Sequence, residues 1–180
     1  MRRALLFVAM VTGLATMWAG TTMEELGKGV CDALAAQDFA RLRPHVLNAD
    51  DVSYFLNLTT QSEEYNQMSP DEKYLVDAWL QEAKHTTRQE LEFHLYKLQQ
   101  QFDKLLAKGA DMYGIRWEAI QYEGTTYGDE LTSGVQRIRQ DVKVTFSFGG
   151  QRYDVLLAGA TYAKDGWKAQ YESIRLVRSR

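Results

Sequence analysis

The sequence predicts an α+β domain in which N-terminal helices pack on a curved antiparallel sheet of about four strands. Three observations lead there. Residues 142–148 alternate apolar and polar side chains, the period of two expected of a strand with one buried face. Gly149-Gly150 follows at once and supplies the positive φ angles of a two-residue hairpin turn. Upstream, Leu91, Leu95, Leu98, Phe102 and Leu105 recur at helical spacing and form one apolar stripe.

Taken from its start, the chain reads as a secretory signal peptide over residues 1–20 followed by one domain over residues 21–180. Arg2 and Arg3 form a basic opening, Ala4 to Trp18 an apolar run, and Ala19-Gly20 a small-residue exit. The run is short for a membrane span of about 20 residues, and Thr22, Glu24 and Glu25 follow it directly. The expected location is therefore periplasmic or secreted, with the membrane met only in transit.

Thr21 or Thr22 is expected to cap a first helix with Met23, Leu26, Val30, Cys31 and Leu34 on its inner side. Asp38 then reads as the cap of a short second helix with Phe39 and Leu42 inward, ended by Pro44. Residues 48–60 hold Val52, Tyr54, Phe55, Leu56 and Leu58 at a spacing that suits a short helix or a strand equally. Ser69-Pro70-Asp71-Glu72 is a helix start, with Ser as cap and Pro at the first helical position. Tyr74, Leu75, Ala78 and Trp79 form the apolar side of that helix. Thr86 or Thr87 is expected to cap a further one, which carries the Leu91–Leu105 stripe and stops at Gly109.

From Met112 the period becomes two, with Ile115, Trp117 and Ala119 predicting a first strand. A polar stretch containing Gly124, Gly128 and Gly134 leads into the second strand. Pairing outward from Gly149-Gly150 sets Phe146 opposite Tyr153, Val144 opposite Val155 and Val142 opposite Leu157, so apolar meets apolar. The third strand runs from Gln151 to about Ala163 and the fourth from Trp167 to about Val177. A three-residue loop at Lys164-Asp165-Gly166 is expected between them, because it keeps Trp167 and Tyr171 on the inner face and sends Arg152 and Lys168 outward.

The chain has 180 residues, of which 45% are apolar and 25% charged, enough for one cored domain. Its formal charge of −3 becomes more negative once Arg2 and Arg3 are removed, which argues against nucleic acid as a partner. One cysteine, Cys31, and three scattered histidines match no zinc spacing, and no cofactor is expected.

Ala33 to Leu47 (ALAAQDFARLRPHVL) and the hairpin Lys164-Asp165-Gly166-Trp167 resemble elements of the nuclear transport factor two-like superfamily. That resemblance implies helices packed on the concave face of a curved sheet, forming a cone with a pocket. It carries over no functional residue.

The expected inner face is dense in aromatics: Trp117, Phe146, Tyr153, Trp167 and Tyr171, with Tyr74 and Trp79 from a helix. These either line an apolar pocket or fill a core. His94 borders the helical stripe and is the one candidate general base. The leading expectation is a non-enzymatic exported domain that binds a small apolar ligand or a protein partner through the cone or a sheet face. The alternatives are an acid–base enzyme of isomerase or hydrolase type using the same pocket, and a partner-neutralising or accessory protein of an exported system. A filled cone favours protein binding, an open apolar pocket a ligand carrier, and converging titratable groups an enzyme.

Overall fold

The computed structural model describes residues 21–179, so the signal-sequence expectation for residues 1–20 lies outside the described residues. Helix α1 (Met23–Ala36) begins at a reciprocal cap. Thr22 Oγ1 accepts from the Glu25 N–H at 3.1 Å, and Glu25 Oε2 accepts from the Thr22 N–H at 2.7 Å. Its expected inner residues Met23, Leu26, Val30, Cys31 and Leu34 are all buried. Burial pushes the Cys31 thiol up to about 12, so it is an unreactive core group. Asp38 caps the short α2 (Phe39–Leu42), and a 3-10 turn at Arg43–His45 carries the chain through Pro44.

The ambiguous segment forms helix α3 (Ala49–Thr59), and its cap explains why. Asn48 Oδ1 accepts from the N–H groups of Asp50 and Asp51, while Asp51 Oδ2 accepts from the Asn48 N–H. A single turn of helix, α4 (Glu63–Gln67), leads to the cap Ser69 and to α5 (Pro70–Tyr113). No described helix is long and apolar enough to cross a membrane.

Helix α5 corrects two expectations. It runs unbroken for 44 residues, about 66 Å, through both Thr86-Thr87 and Gly109. A threonine costs only a few tenths of a kcal/mol within a helix, less than opening a new terminus with its unpaired donors. Gly109 lies within the helix, and its missing side chain makes room for the Trp117 indole: a Cβ there would lie 2.1 Å from Cζ2 of that ring. The helix ends instead at Gly114, whose φ of 63° turns the chain so that the Ile115 N–H reaches back to the Gly109 carbonyl at 3.0 Å.

The strand expected at Ile115–Ala119 is absent, and a 3-10 turn at Trp117–Ala119 stands in its place. Trp117 Nε1 donates to the Leu106 carbonyl at 3.0 Å, which pins the indole to α5 and turns the backbone away from any strand partner. The sheet has six strands: β1 (Gln121–Thr126), β2 (Glu130–Ser133), β3 (Gln136–Phe148), β4 (Gln151–Ala163), β5 (Gly166–Ala169) and β6 (Ile174–Arg178). The long pair β3 and β4 is central. Strands β1 and β2 follow one another along the outer side of β3, and β6 and β5 do the same along β4. The sheet curls into a half-barrel with the helices packed against it, an α+β architecture.

The central hairpin has the expected register. Phe146 faces Tyr153, Val144 faces Val155 and Val142 faces Leu157, around a turn in which Gly149 and Gly150 have φ of 58° and 76°. The second hairpin does not have its expected register. Ala163 pairs with Gly166 and Tyr162 with Trp167, so the turn is the two residues Lys164-Asp165. Thr21 reinforces that register by donating its N–H to the Asp165 carbonyl and accepting the Trp167 N–H, each at 2.8 Å. The expected fourth strand is in fact β5 and β6, which break apart at residues 170–173. Lys168 therefore does not point to solvent: it is 7% exposed and reaches α3.

Candidate functional site

The eight residues singled out in the sequence separate into four places. Trp117, Phe146 and Tyr153 lie in the core, where the Phe146 ring sits 5.8 Å from Trp117 and 5.6 Å from Tyr153. Tyr113 closes the group at 5.5 Å from Tyr153. These rings pack on one another as core. His94 and Tyr171 come together, stacked at 4.7 Å with 26° between their planes. Burial, followed by the Glu172 and Glu90 carboxylates, pushes the Tyr171 hydroxyl above its ordinary range, so it stays protonated at neutral pH.

Trp167 stands apart from both sets, in a row of alternating rings and guanidinium groups. The register of the central hairpin, carried one residue past Ile138 and Thr161, puts Arg137 opposite Tyr162, and β5 adds Trp167 beside Tyr162. The Arg137 guanidinium lies 4.6 Å from the Tyr162 ring, and that of Arg139 lies 4.6 Å from Tyr127 and 5.4 Å from Trp167. Glu130 on β2 joins them, accepting from Arg137 Nε at 2.6 Å and from Arg139 Nη2 at 3.3 Å. The hydrogen bond from Arg137 holds the Glu130 carboxyl below its ordinary range. Beside this row, Thr21, Met23, Tyr127, Arg139, Tyr162 and Trp167 border a cleft of about 390 Å³. Sequence reading missed Tyr127, Glu130, Arg137, Arg139 and Tyr162, although carrying the Gly-Gly register five residues past Val142 and Leu157 would have paired Arg137 with Tyr162.

Tyr74 and Trp79 do not face the sheet, which corrects the expectation that they line its inner side. They are 74% and 57% exposed and stand with exposed Leu75 on the first half of α5. Phe93 and Tyr96 are also exposed further along. At 3.6 residues per turn Leu75, Trp79, Phe93 and Tyr96 fall on the side opposite Leu91, Leu95, Leu98, Phe102 and Leu105, and Tyr74 falls on the flank. One helix thus carries a core stripe and, on its other face, an aromatic one. Leu75 and Trp79 are one turn apart and adjoin on that face, with Tyr74 exposed beside it.

A buried ion pair joins α3 to β5. Lys168 Nζ donates to both carboxylate oxygens of Asp51, at 2.8 and 3.0 Å. Asp51 is also the residue that closes the Asn48 cap, so one carboxylate fixes the start of α3 and anchors it to the sheet. His45 lies nearby against Gly29 of α1, and burial lowers its pKa below 6.5, opposed by Asp32 and assisted by Lys168. Among the described residues, no group of three or more His, Cys, Asp or Glu side chains is placed to hold a metal ion.

Comparison of the chain with protein-family models, curated proteins and solved structures finds no match.

Proposed function

We propose that this chain is an exported, non-enzymatic protein-binding domain of the cone-like, nuclear transport factor two-like type. The carrying observation is the outward pair of Leu75 and Trp79, flanked by exposed Tyr74, on a helix whose opposite side supplies the core. Large aromatics held in water cost free energy that burial against a partner recovers, about 1.5–3 kcal/mol for each large apolar side chain fully covered. Tryptophan and tyrosine are also the residues most often found to dominate protein interfaces. The interior supports the same reading, since the rings of Trp117, Phe146 and Tyr153 pack against each other. The order of helices first and antiparallel strands after supports the superfamily assignment, as does the Asp38-capped second helix.

The test is native mass spectrometry of the chain purified from its own compartment, with and without the double substitution Tyr74→Ala and Trp79→Ala. The parent is expected to carry a protein of defined mass, and the double variant to lose it while its unfolding free energy in urea stays within about 0.5 kcal/mol of the parent. A small-molecule adduct retained by the double variant would replace this reading with a ligand carrier. The cleft beside Trp167 is the observation that favours that second reading, because three rings and a guanidinium border it.

A further inference from the structure

Among the described residues strand β6 is paired on one side only, and which of its backbone groups face the other side follows from two hydrogen bonds. The Ser179 N–H donates to the Arg152 carbonyl and the Ala158 N–H to the Ser173 carbonyl, so odd-numbered residues of this segment bond to β4. In an antiparallel ladder each residue sends both its N–H and its C=O to the same side. The even-numbered residues Ile174, Leu176 and Arg178 consequently point theirs away from β4. Two side chains of α5 confirm the direction: Gln101 Oε1 accepts from the Ile174 N–H at 3.0 Å, and Lys108 Nζ donates to the Leu176 carbonyl at 2.9 Å. Gln101 and Lys108 thus occupy positions that a neighbouring strand would fill.

Between that edge and α5 runs a groove of about 580 Å³ with Leu105, Ile174, Leu176 and Val177 in its walls. Its charged lining residues are Lys104, Lys108 and Arg175, all basic, in a chain whose formal charge is −3. We propose that this groove binds an extended acidic peptide segment of a partner protein, which adds as a strand to β6. The backbone of the segment would bond to the outward groups of Ile174, Leu176 and Arg178, displacing the amide of Gln101 and the ammonium of Lys108. The freed ammonium, with Lys104 and Arg175, would then meet carboxylates on alternate residues of the segment. An unprotected strand edge is a hazard that proteins cover or charge, and here both devices are reversible side-chain contacts. The proposal is independent of the aromatic patch on the first half of α5, which lies on a different face.

The experiment uses the chain from residue 21 onward and a fluorescent, blocked hexapeptide alternating glutamate and valine. Binding is followed by anisotropy, and amide hydrogen exchange is measured at Leu176 and Arg178. The peptide is expected to bind and to slow exchange at those two amides. The same peptide with lysine for glutamate, or with proline at its centre, is expected not to bind. Lys108→Glu with Arg175→Glu should weaken binding about tenfold or more, whereas Lys84→Glu, an equal type of charge change elsewhere on α5, should leave it intact. Circular dichroism confirms that each variant is folded. Absence of binding, binding of all three peptides alike, protection at other amides, or indifference to the paired reversal would each overturn the proposal. Loss of the Tyr74 and Trp79 interface would leave these outcomes unchanged, so the two readings fail separately.

Discussion

Lys168 and Asp51 hold each other with almost no water nearby, and the free energy of such a pair depends on both members being present. Lys168→Met is expected to cost about 3–5 kcal/mol, because the Asp51 carboxylate is left buried without a counter-charge. Adding Asp51→Asn removes that charge while keeping an oxygen for the Asn48 N–H, and should restore more than half of the loss. Urea midpoints of the two single variants and the double variant check this; a double variant no better than Lys168→Met would mean the charge is not the source of the cost. His45 acts through pH. Its folded pKa is lowered, so the unfolded chain binds its proton more readily and stability must rise with pH across that window. The contribution is unfavourable only when His45 is protonated: it is absent well above pH 6.5 and grows as pH falls below that value. Thermal midpoints measured from pH 8 down to pH 5 should therefore decline, and His45→Gln should flatten the part of the decline that begins near 6.5.

Within α5, Gly109 sets two effects against each other. Alanine is the better helix former by about 0.5–1 kcal/mol, but its Cβ would meet the Trp117 indole, and overpacking costs about 1–3 kcal/mol. Crowding wins, so Gly109→Ala is expected to lower the urea midpoint, while Gly109→Ala combined with Trp117→Phe should lower it less than the two separate losses predict. That glycine also shows where the sequence is hard to read. A glycine after a helical stripe followed by lysines looks like a helix stop, and only the position of an indole eight residues on explains why it is not. The elements governed by local chemistry were legible: the Thr22, Asp38 and Ser69 caps, the Leu91–Leu105 stripe and the Gly149-Gly150 turn. The elements governed by distant partners were not. Trp117 is turned by a carbonyl of α5, the Lys164-Asp165 turn is paired with Thr21, and Lys168 is drawn inward by Asp51 across 117 positions. The aromatic list had the same limit, since the presence of Tyr74 and Trp79 among apolar neighbours on a helix says nothing of which side meets the sheet.

At the scale of the molecule, the helices-on-sheet arrangement was legible because a strand pair with one apolar face requires a cover, and only the upstream helices offer one. The destination of the chain rests on residues 1–20, and N-terminal sequencing of protein recovered outside the cytoplasm is expected to begin near Gly20 or Thr21. A start at Met1 would overturn the export proposal. The bridge between Thr21 and Gly166 bears on when the molecule is finished. It ties the first described residue to the last hairpin, so a chain emerging from the ribosome has to wait on the order of ten seconds between making one half of the bridge and making the other. Until then α1 has β1 but not β5 to lie against. Completion of the fold therefore waits on residue 166, and a ribosome stalled before it would display a chain lacking the two strands, β5 and β6, that complete the β4 side of the sheet.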